Sequence, residues 1–246
     1  MNIRKKFSAQ FMLVTVFILF IVYTLISNFV FQVKKLNEYK DEISSLNKQI
    51  SSTKKQIEEL KTLKMEIINS DKKFLSSISY LVTLNNGEQI IREELLKLGK
   101  RRDAVIILGY TESGDVLLSL EPRVFTKEGV LANLPAGYVN DNESILDAAK
   151  REFLEETGYV PGETYYIKAF YQDQGISGAL NHIFVFKGCK LFSNQSLDDG
   201  EFVKVIKCSF EDLDKLIDLN YIKDANSLLA ISLEKERRNG LCLIKK

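Results

Sequence analysis

Histidine occurs once in these 246 residues, cysteine three times, and neither sign of charge predominates. A lone His182, set in an apolar strand pattern, reads as a structural residue. It leaves little support for a histidine-based metal centre or a Ser-His-Asp triad. Cys189, Cys208 and Cys242 are odd in number and widely spaced, which argues against a disulfide framework and against a zinc site. With 34 Lys+Arg against 33 Asp+Glu, no global excess of positive charge points to nucleic acid as a partner. Internal repeats and low-complexity tracts are also missing. The length suits one domain of ordinary size with added elements.

The longest absence is local. No charged residue falls between Lys6 and Lys34, and Phe11 to Ile26 is almost continuously apolar. A helix needs roughly 20 such residues to cross the hydrocarbon core. A cleaved signal peptide is the alternative, but its apolar core is usually about 7–15 residues, whereas this run is longer and stays bulky through Phe29, Val30 and Phe31. Residues 7–33 are therefore expected to form a single transmembrane helix in the lipid bilayer. Arg4, Lys5 and Lys6 before it nearly balance Lys34, Lys35, Lys40 and Lys48 after it, so the positive-inside rule gives no orientation.

Residues 34–70 carry heptads. Leu36, Ile43, Ile50 and Ile57 are spaced by seven, and Tyr39, Leu46, Thr53, Leu60 and Ile67 occupy a second seam. That pattern predicts a coiled-coil stalk and a homodimer, with residues 36–67 about 48 Å long if helical throughout. A single helix packed on the following domain is the alternative. Residues 71–100 are expected to be a helical linker, broken at Asn85-Asn86-Gly87, with Ile90, Ile91, Leu95, Leu96 and Leu98 on its apolar face.

From residue 101 to residue 246 the pattern alternates strands and helices. Strands are expected at 104–110, 116–120, 130–134, 165–171, 182–186 and 202–208. Helices are expected at 211–219 and 224–238 and, most informatively, at 144–157. Ser144 can cap this last helix. Leu146, Ala149 and Phe153 make its buried stripe, and Gly158 falls where a helix stop needs positive φ. Opposite the stripe stand Glu152, Glu155 and Glu156. Positions i, i+3 and i+4 share one helix face, so these carboxylates repel one another and favour a cation. Hard oxygen donors in that number suit Mg²⁺ or Mn²⁺.

The segment resembles the Nudix box, G-x5-E-x7-R-E-U-x-E-E-x-G-U, with U bulky and apolar. Gly137, Glu143, Arg151, Glu152, Phe153, Glu155, Glu156, Gly158 and Tyr159 meet every fixed position. The resemblance implies an α/β/α sandwich with a mixed sheet over residues 101–246, and metal-dependent hydrolysis of a nucleoside diphosphate linked to another moiety. It implies Glu152, Glu156 and the Ala136 carbonyl as metal ligands, with Gly137 letting the backbone pass close to the ion. Glu143 is expected to pair with Arg151, and Glu155 to act as a further ligand or to orient Arg151.

Leu134-Pro135-Ala136-Gly137, the segment Phe170 to Ser177 and the tail Tyr221 to Leu228 are similar to the ADP-ribose pyrophosphatase branch. So is the acidic loop before the last strand, in which Asp199 and Glu201 match catalytic positions. Glu201 is a candidate general base, and a solvated acidic turn is the alternative. That branch usually has proline where this chain has Gln174, which leaves nucleotide sugars and dinucleotides open beside ADP-ribose. Arg123 is a candidate contact to phosphate or ribose. Nucleotide substrates favour a cytoplasmic catalytic domain. A membrane-anchored nucleotide sensor that does not turn over its ligand is the competing function.

Overall fold

The computed structural model describes residues 23, 24, 27, 30–35, 37, 40, 44, 47–58 and 74–240. The chain divides into two compact units, residues 1–55 and 56–246. Every described position between 23 and 58 is helical. Most of the expected membrane span and the end of the expected stalk lie outside the described residues. Among the described residues, no helix is long and apolar enough to cross a membrane.

The expected helical linker is corrected. Residues 75–97 form a β-hairpin of two strands, β1 (Leu75–Thr83) and β2 (Gln89–Lys97), paired antiparallel from Leu75↔Lys97 to Thr83↔Gln89. The break at Asn85-Asn86-Gly87 is the hairpin turn itself. Gly87 takes φ +84° and returns its N–H to the Leu84 carbonyl at 2.9 Å, a conformation glycine adopts without strain. The flanking residues also favour strand. Ser76, Ser77, Ser79, Tyr80, Val82 and Thr83 are poor helix formers, and of the apolar face proposed for a helix only Leu96 is buried, while Ile91 is 68% exposed.

The rest of the second unit is built on eight strands: β3 (Ala104–Thr111), β4 (Val116–Arg123), β5 (Gly129–Asn133), β6 (Ala136–Tyr138), β7 (Tyr159–Val160), β8 (Glu163–Tyr171), β9 (Leu180–Leu191) and β10 (Lys204–Cys208). The main path runs β10-β4-β3-β9-β7, with β5 on β4, β6 on β3 and β8 on β9. Only β3 and β9 pair in parallel, so the sheet is mixed. Three helices cover it: α1 (Ile145–Thr157), α2 (Asp212–Asp218) and α3 (Ala225–Arg238).

Alternation along the strands sends side chains to opposite faces. Val105, Ile107, Leu117, Phe184 and Phe186 meet Ala148, Ala149 and Phe153 of α1. Ile106, Leu108, Leu118, Leu120, Ile183 and Val185 meet Leu213 of α2 and Ala230 and Ile231 of α3. This is the expected three-layer sandwich. Gly109 in β3 sets the depth of α1, because a Cβ there would lie 2.4 Å from the Phe153 ring.

The hairpin is tied to this body through Glu94. Its carboxylate accepts from Arg101 Nε at 2.6 Å and Nη2 at 2.8 Å, from the Tyr80 hydroxyl at 3.1 Å and from the Gly178 N–H at 3.3 Å. The Leu95 N–H donates to the Ile176 carbonyl at 2.7 Å beside it. Chiefly through Arg101, the Glu94 carboxyl is held down to about 2, against an ordinary 4.5. A carboxylate lowered in the fold stabilises it above the unfolded pKa and loses that contribution as pH falls through the folded one. Between pH 4.5 and 2 the hairpin amides, Leu95 among them, should therefore lose hydrogen-exchange protection before those of β3 and β9. In Glu94→Gln that pH dependence should vanish. Equal protection of hairpin and sheet throughout the window would contradict this tie.

Candidate active site

The acidic helix is built as its sequence suggests. Ser144 caps α1, its hydroxyl accepting from the Asp147 N–H at 3.1 Å. Gly158 ends it at φ +77°, donating to the Leu154 carbonyl. With the apolar stripe fixed on the sheet, the glutamate face is turned to the ends of β4 and β6.

Arg151 organises that face. Its Nε and Nη2 donate to the two oxygens of Glu143 at 2.8 and 2.9 Å, and Nη2 also donates to the Tyr138 carbonyl at 2.9 Å. Nη1 donates to Glu152 at 2.8 Å and to Glu155 at 3.0 Å. Every N–H of the guanidinium is thus engaged, and the loop from β6 to α1 is bound to the helix. Arg151 lowers the Glu143 carboxyl below its ordinary value, and the Asn140 N–H adds to the effect.

Glu152 lies over Gly137. A Cβ at residue 137 would be 1.9 Å from the Glu152 carboxyl carbon, so the glycine is there for space, and its φ is unremarkable. Burial raises the Glu152 carboxyl and Arg151 opposes the rise. Glu156 is 6% exposed. It accepts from the Ser119 hydroxyl at 2.7 Å and from the Ala136 N–H at 3.3 Å. Burial, then the neighbouring charges of Glu121 and Glu152, push its carboxyl up to about 8 against those two hydrogen bonds.

Ser119 and Glu121 were not singled out in the sequence. Their signal is the alternation in β4, Leu117-Leu118-Ser119-Leu120-Glu121-Pro122-Arg123, which sets Ser119, Glu121 and Arg123 on the face toward α1. Burial raises the Glu121 carboxyl, opposed by Arg123, whose Nη2 is 2.6 Å away. With its amide turned so that the oxygen faces Arg123, Asn133 accepts from that guanidinium at 3.0 and 3.1 Å and donates to Asp224 at 3.1 Å.

Glu201 is exposed, and its charge adds a minor rise to the Glu121 and Glu152 carboxyls. It sits in a turn, its N–H donating to the Asp198 carbonyl at 3.0 Å and its carboxylate accepting from the Asp198 N–H at 3.3 Å. Asp199 is exposed on the same turn, and no contact among the described residues brings it to the cluster. Glu155 meets it through Arg151 and through its charge on Glu152. Ala136 meets it through its N–H.

Among the described residues no three Asp, Glu, His or Cys side chains are gathered into a ready metal cage. The donor chemistry nevertheless fits a hard divalent cation. The donors are all oxygen, and Glu156 is desolvated while the charges of Glu121 and Glu152 add to its cost of ionisation. A cation there removes that repulsion.

Residues 100–229 match the sequence profile described as the NUDIX domain. An ADP-ribose pyrophosphatase of Bacillus subtilis (strain 168) is 32% identical over 151 residues, covering 61% of this chain and 79% of that one. A methanol dehydrogenase activator of Bacillus methanolicus is 27% identical, covering 70% and 91%. A GDP-mannose pyrophosphatase of Escherichia coli (strain K12) is 28% identical, covering 70% and 93%. The crystal structure of an ADP compounds hydrolase superposes with TM-score 0.57 at 21% identity, over 71% of this chain and 92% of that one, a likeness of fold.

Gly137→Ala separates the site from the fold. The new methyl meets the free end of a flexible side chain, so the protein should fold with little loss of stability while Glu152 is displaced. Such misplacement should lower kcat about 100-fold. Unchanged turnover in a folded Gly137→Ala protein would show that the position of Glu152 is immaterial.

Proposed function

The chain belongs to the NUDIX family, and on that premise we propose that it splits the phosphoanhydride of ADP-ribose, or of a related nucleotide sugar or dinucleotide. It is a pyrophosphohydrolase of nucleoside diphosphate-linked substrates. The preference for ADP-ribose is supported by the relative of that name and by the segments quoted above. The single observation behind the site is the buried Glu156 carboxylate, packed with Glu152 and Glu121 at the end of β4.

In this reading Glu152, Glu156 and the carbonyl of Ala136 hold Mg²⁺ or Mn²⁺. Such an ion, when bound, neutralises the pyrophosphate oxygens and lowers the pKa of an attached water. Glu201 takes the proton of the attacking water as general base, with Asp199 on the same turn adding negative charge nearby. The water oxygen bonds one phosphorus, the bridging P–O bond breaks, and two monophosphates leave. Arg123 faces substrate phosphate or ribose, held by Glu121 and Asn133. Arg151 and Glu143 fix the helix face, Glu155 orients Arg151, and Gly137 and Gly158 give room.

We propose a single-pass membrane anchor over residues 7–33, a stalk over residues 34–70, a cytoplasmic catalytic domain and a homodimer. The uncharged run and the heptads support this, as does the hairpin. Its Leu75, Leu81 and Ile91 lie exposed on one face, an apolar surface of the kind that partners cover. The intact protein should remain in alkali-washed membranes and sediment in detergent as a dimer. Release by the wash, or a monomer, would contradict the respective part.

Purified protein with Mg²⁺ should convert ADP-ribose to AMP and ribose 5-phosphate, with higher kcat/KM than for GDP-mannose. Glu156→Gln should lower kcat by about two to three orders of magnitude without unfolding the domain. If a nucleotide panel bound without yielding product, the sensor reading would replace the hydrolase.

A further inference from the structure

We infer that Gln195 is a positioning residue for this hydrolysis: its amide seats the loop carrying Glu201 on the C-terminal end of the helix carrying Glu152 and Glu156. The inference rests on the role proposed above for Glu201.

The last four carbonyls of a helix lack partners within it. At the end of α1 two of them, those of Glu155 and Glu156, are taken by the chain that returns from β9. The Ser196 N–H donates to the Glu155 carbonyl at 2.9 Å, and Gln195 Nε2 donates to the Glu156 carbonyl. Phe192 and Ser193 N–H groups donate to the Gly158 carbonyl at 2.9 and 3.1 Å. The return path is tight, since a Cβ on Gly158 would be 2.3 Å from the Ser193 carbonyl oxygen. The last glycine of the box therefore serves the loop as well as the helix stop.

Gln195 does a second thing. The same Nε2 donates to the Val203 carbonyl at 3.2 Å, at the far end of the loop where β10 is about to begin. One side-chain amide thus joins three places: the foot of the acidic loop, its other foot, and the end of the catalytic helix. Between the feet, Gly200 takes φ +90° and the Asp198–Glu201 turn closes the loop that carries Glu201. Without the two amide donors, the carbonyls of Glu156 and Val203 are left partly buried and unpaired, and the loop base is free to spread. Water would satisfy them at the cost of the distance between Glu201 and the helix. A residue that merely stiffened the surface would change stability and leave the proton-transfer step alone.

The test uses the full chain and Gln195→Met, which keeps the volume and removes the donors. With ADP-ribose and Mg²⁺, kcat should fall about ten- to 100-fold with KM within about two-fold. In a Glu201→Gln background the same change should cost less than about two-fold more, because both act on one step. In the metal-free protein, hydrogen exchange should accelerate at the Ser196 and Glu201 amides and stay unchanged at Phe153. A wild-type kcat in Gln195→Met, or losses that multiply fully with those of Glu201→Gln, would overturn the inference. If Glu201→Gln alone leaves kcat intact, the base assignment fails, and the exchange data decide whether Gln195 seats the loop. Should Gln195→Met not fold, Gln195→Glu replaces it; unfolding of both would make Gln195 a residue of the fold and overturn the inference equally.

Discussion

The guanidinium of Arg151 is the constraint on which the rest of the site depends. Carboxylates crowded on one helix face repel one another, and burying them adds a desolvation cost. Arg151 answers both while standing at the edge of the cluster rather than inside it. It binds both oxygens of Glu143 and a carbonyl of β6, and so fixes the loop. It binds one oxygen of Glu152 and one of Glu155, and so fixes the helix face. Lysine has three donors on one point and could not hold four partners in this fork.

Beyond the reach of Arg151 lies the carboxylate that the fold tolerates least. Glu156 is buried against Ser119 and the Ala136 N–H, with Glu121 close by. Two hydrogen bonds do not offset its burial, and the carboxyl titrates far above its ordinary range. A structural residue would gain nothing from that position. A site that takes up a divalent ion and a polyanion gains a pre-formed charge well, in which the stability lost by the free protein is recovered on binding. The same argument explains why β4 brings Ser119, Glu121 and Arg123, one polar residue in two, to an otherwise apolar face.

How much of this could be read from the sequence varied with the range of the interaction. The helix of the box was legible to its caps, since Ser144, the apolar stripe and Gly158 are local signals. So were the pairing of Arg151 with Glu143 and the positions of most strands along the chain, while the mixed sheet was implied by the family resemblance. The hairpin at residues 75–97 was misread because Ile90, Ile91, Leu95 and Leu96 also fit a helical face. The serines and β-branched residues of β1, with Asn86-Gly87, carried the contrary signal. Ser119 and Glu121 were passed over because a polar residue in a strand ordinarily faces water, and only the register of α1 on the sheet shows otherwise. Gln195 could not be found at all: its partners are main-chain carbonyls 39 and 8 residues away. The neighbourhood of Glu201 needed the same long-range contacts.

The most direct measurement is anomalous scattering from crystals of the protein grown with Mn²⁺ and a non-hydrolysable ADP-ribose analogue. The account predicts manganese bound to the carboxylates of Glu152 and Glu156, with the pyrophosphate of the analogue beside it and Arg151 still bound to Glu143. Manganese held elsewhere, or an analogue bound away from this helix face, would contradict it.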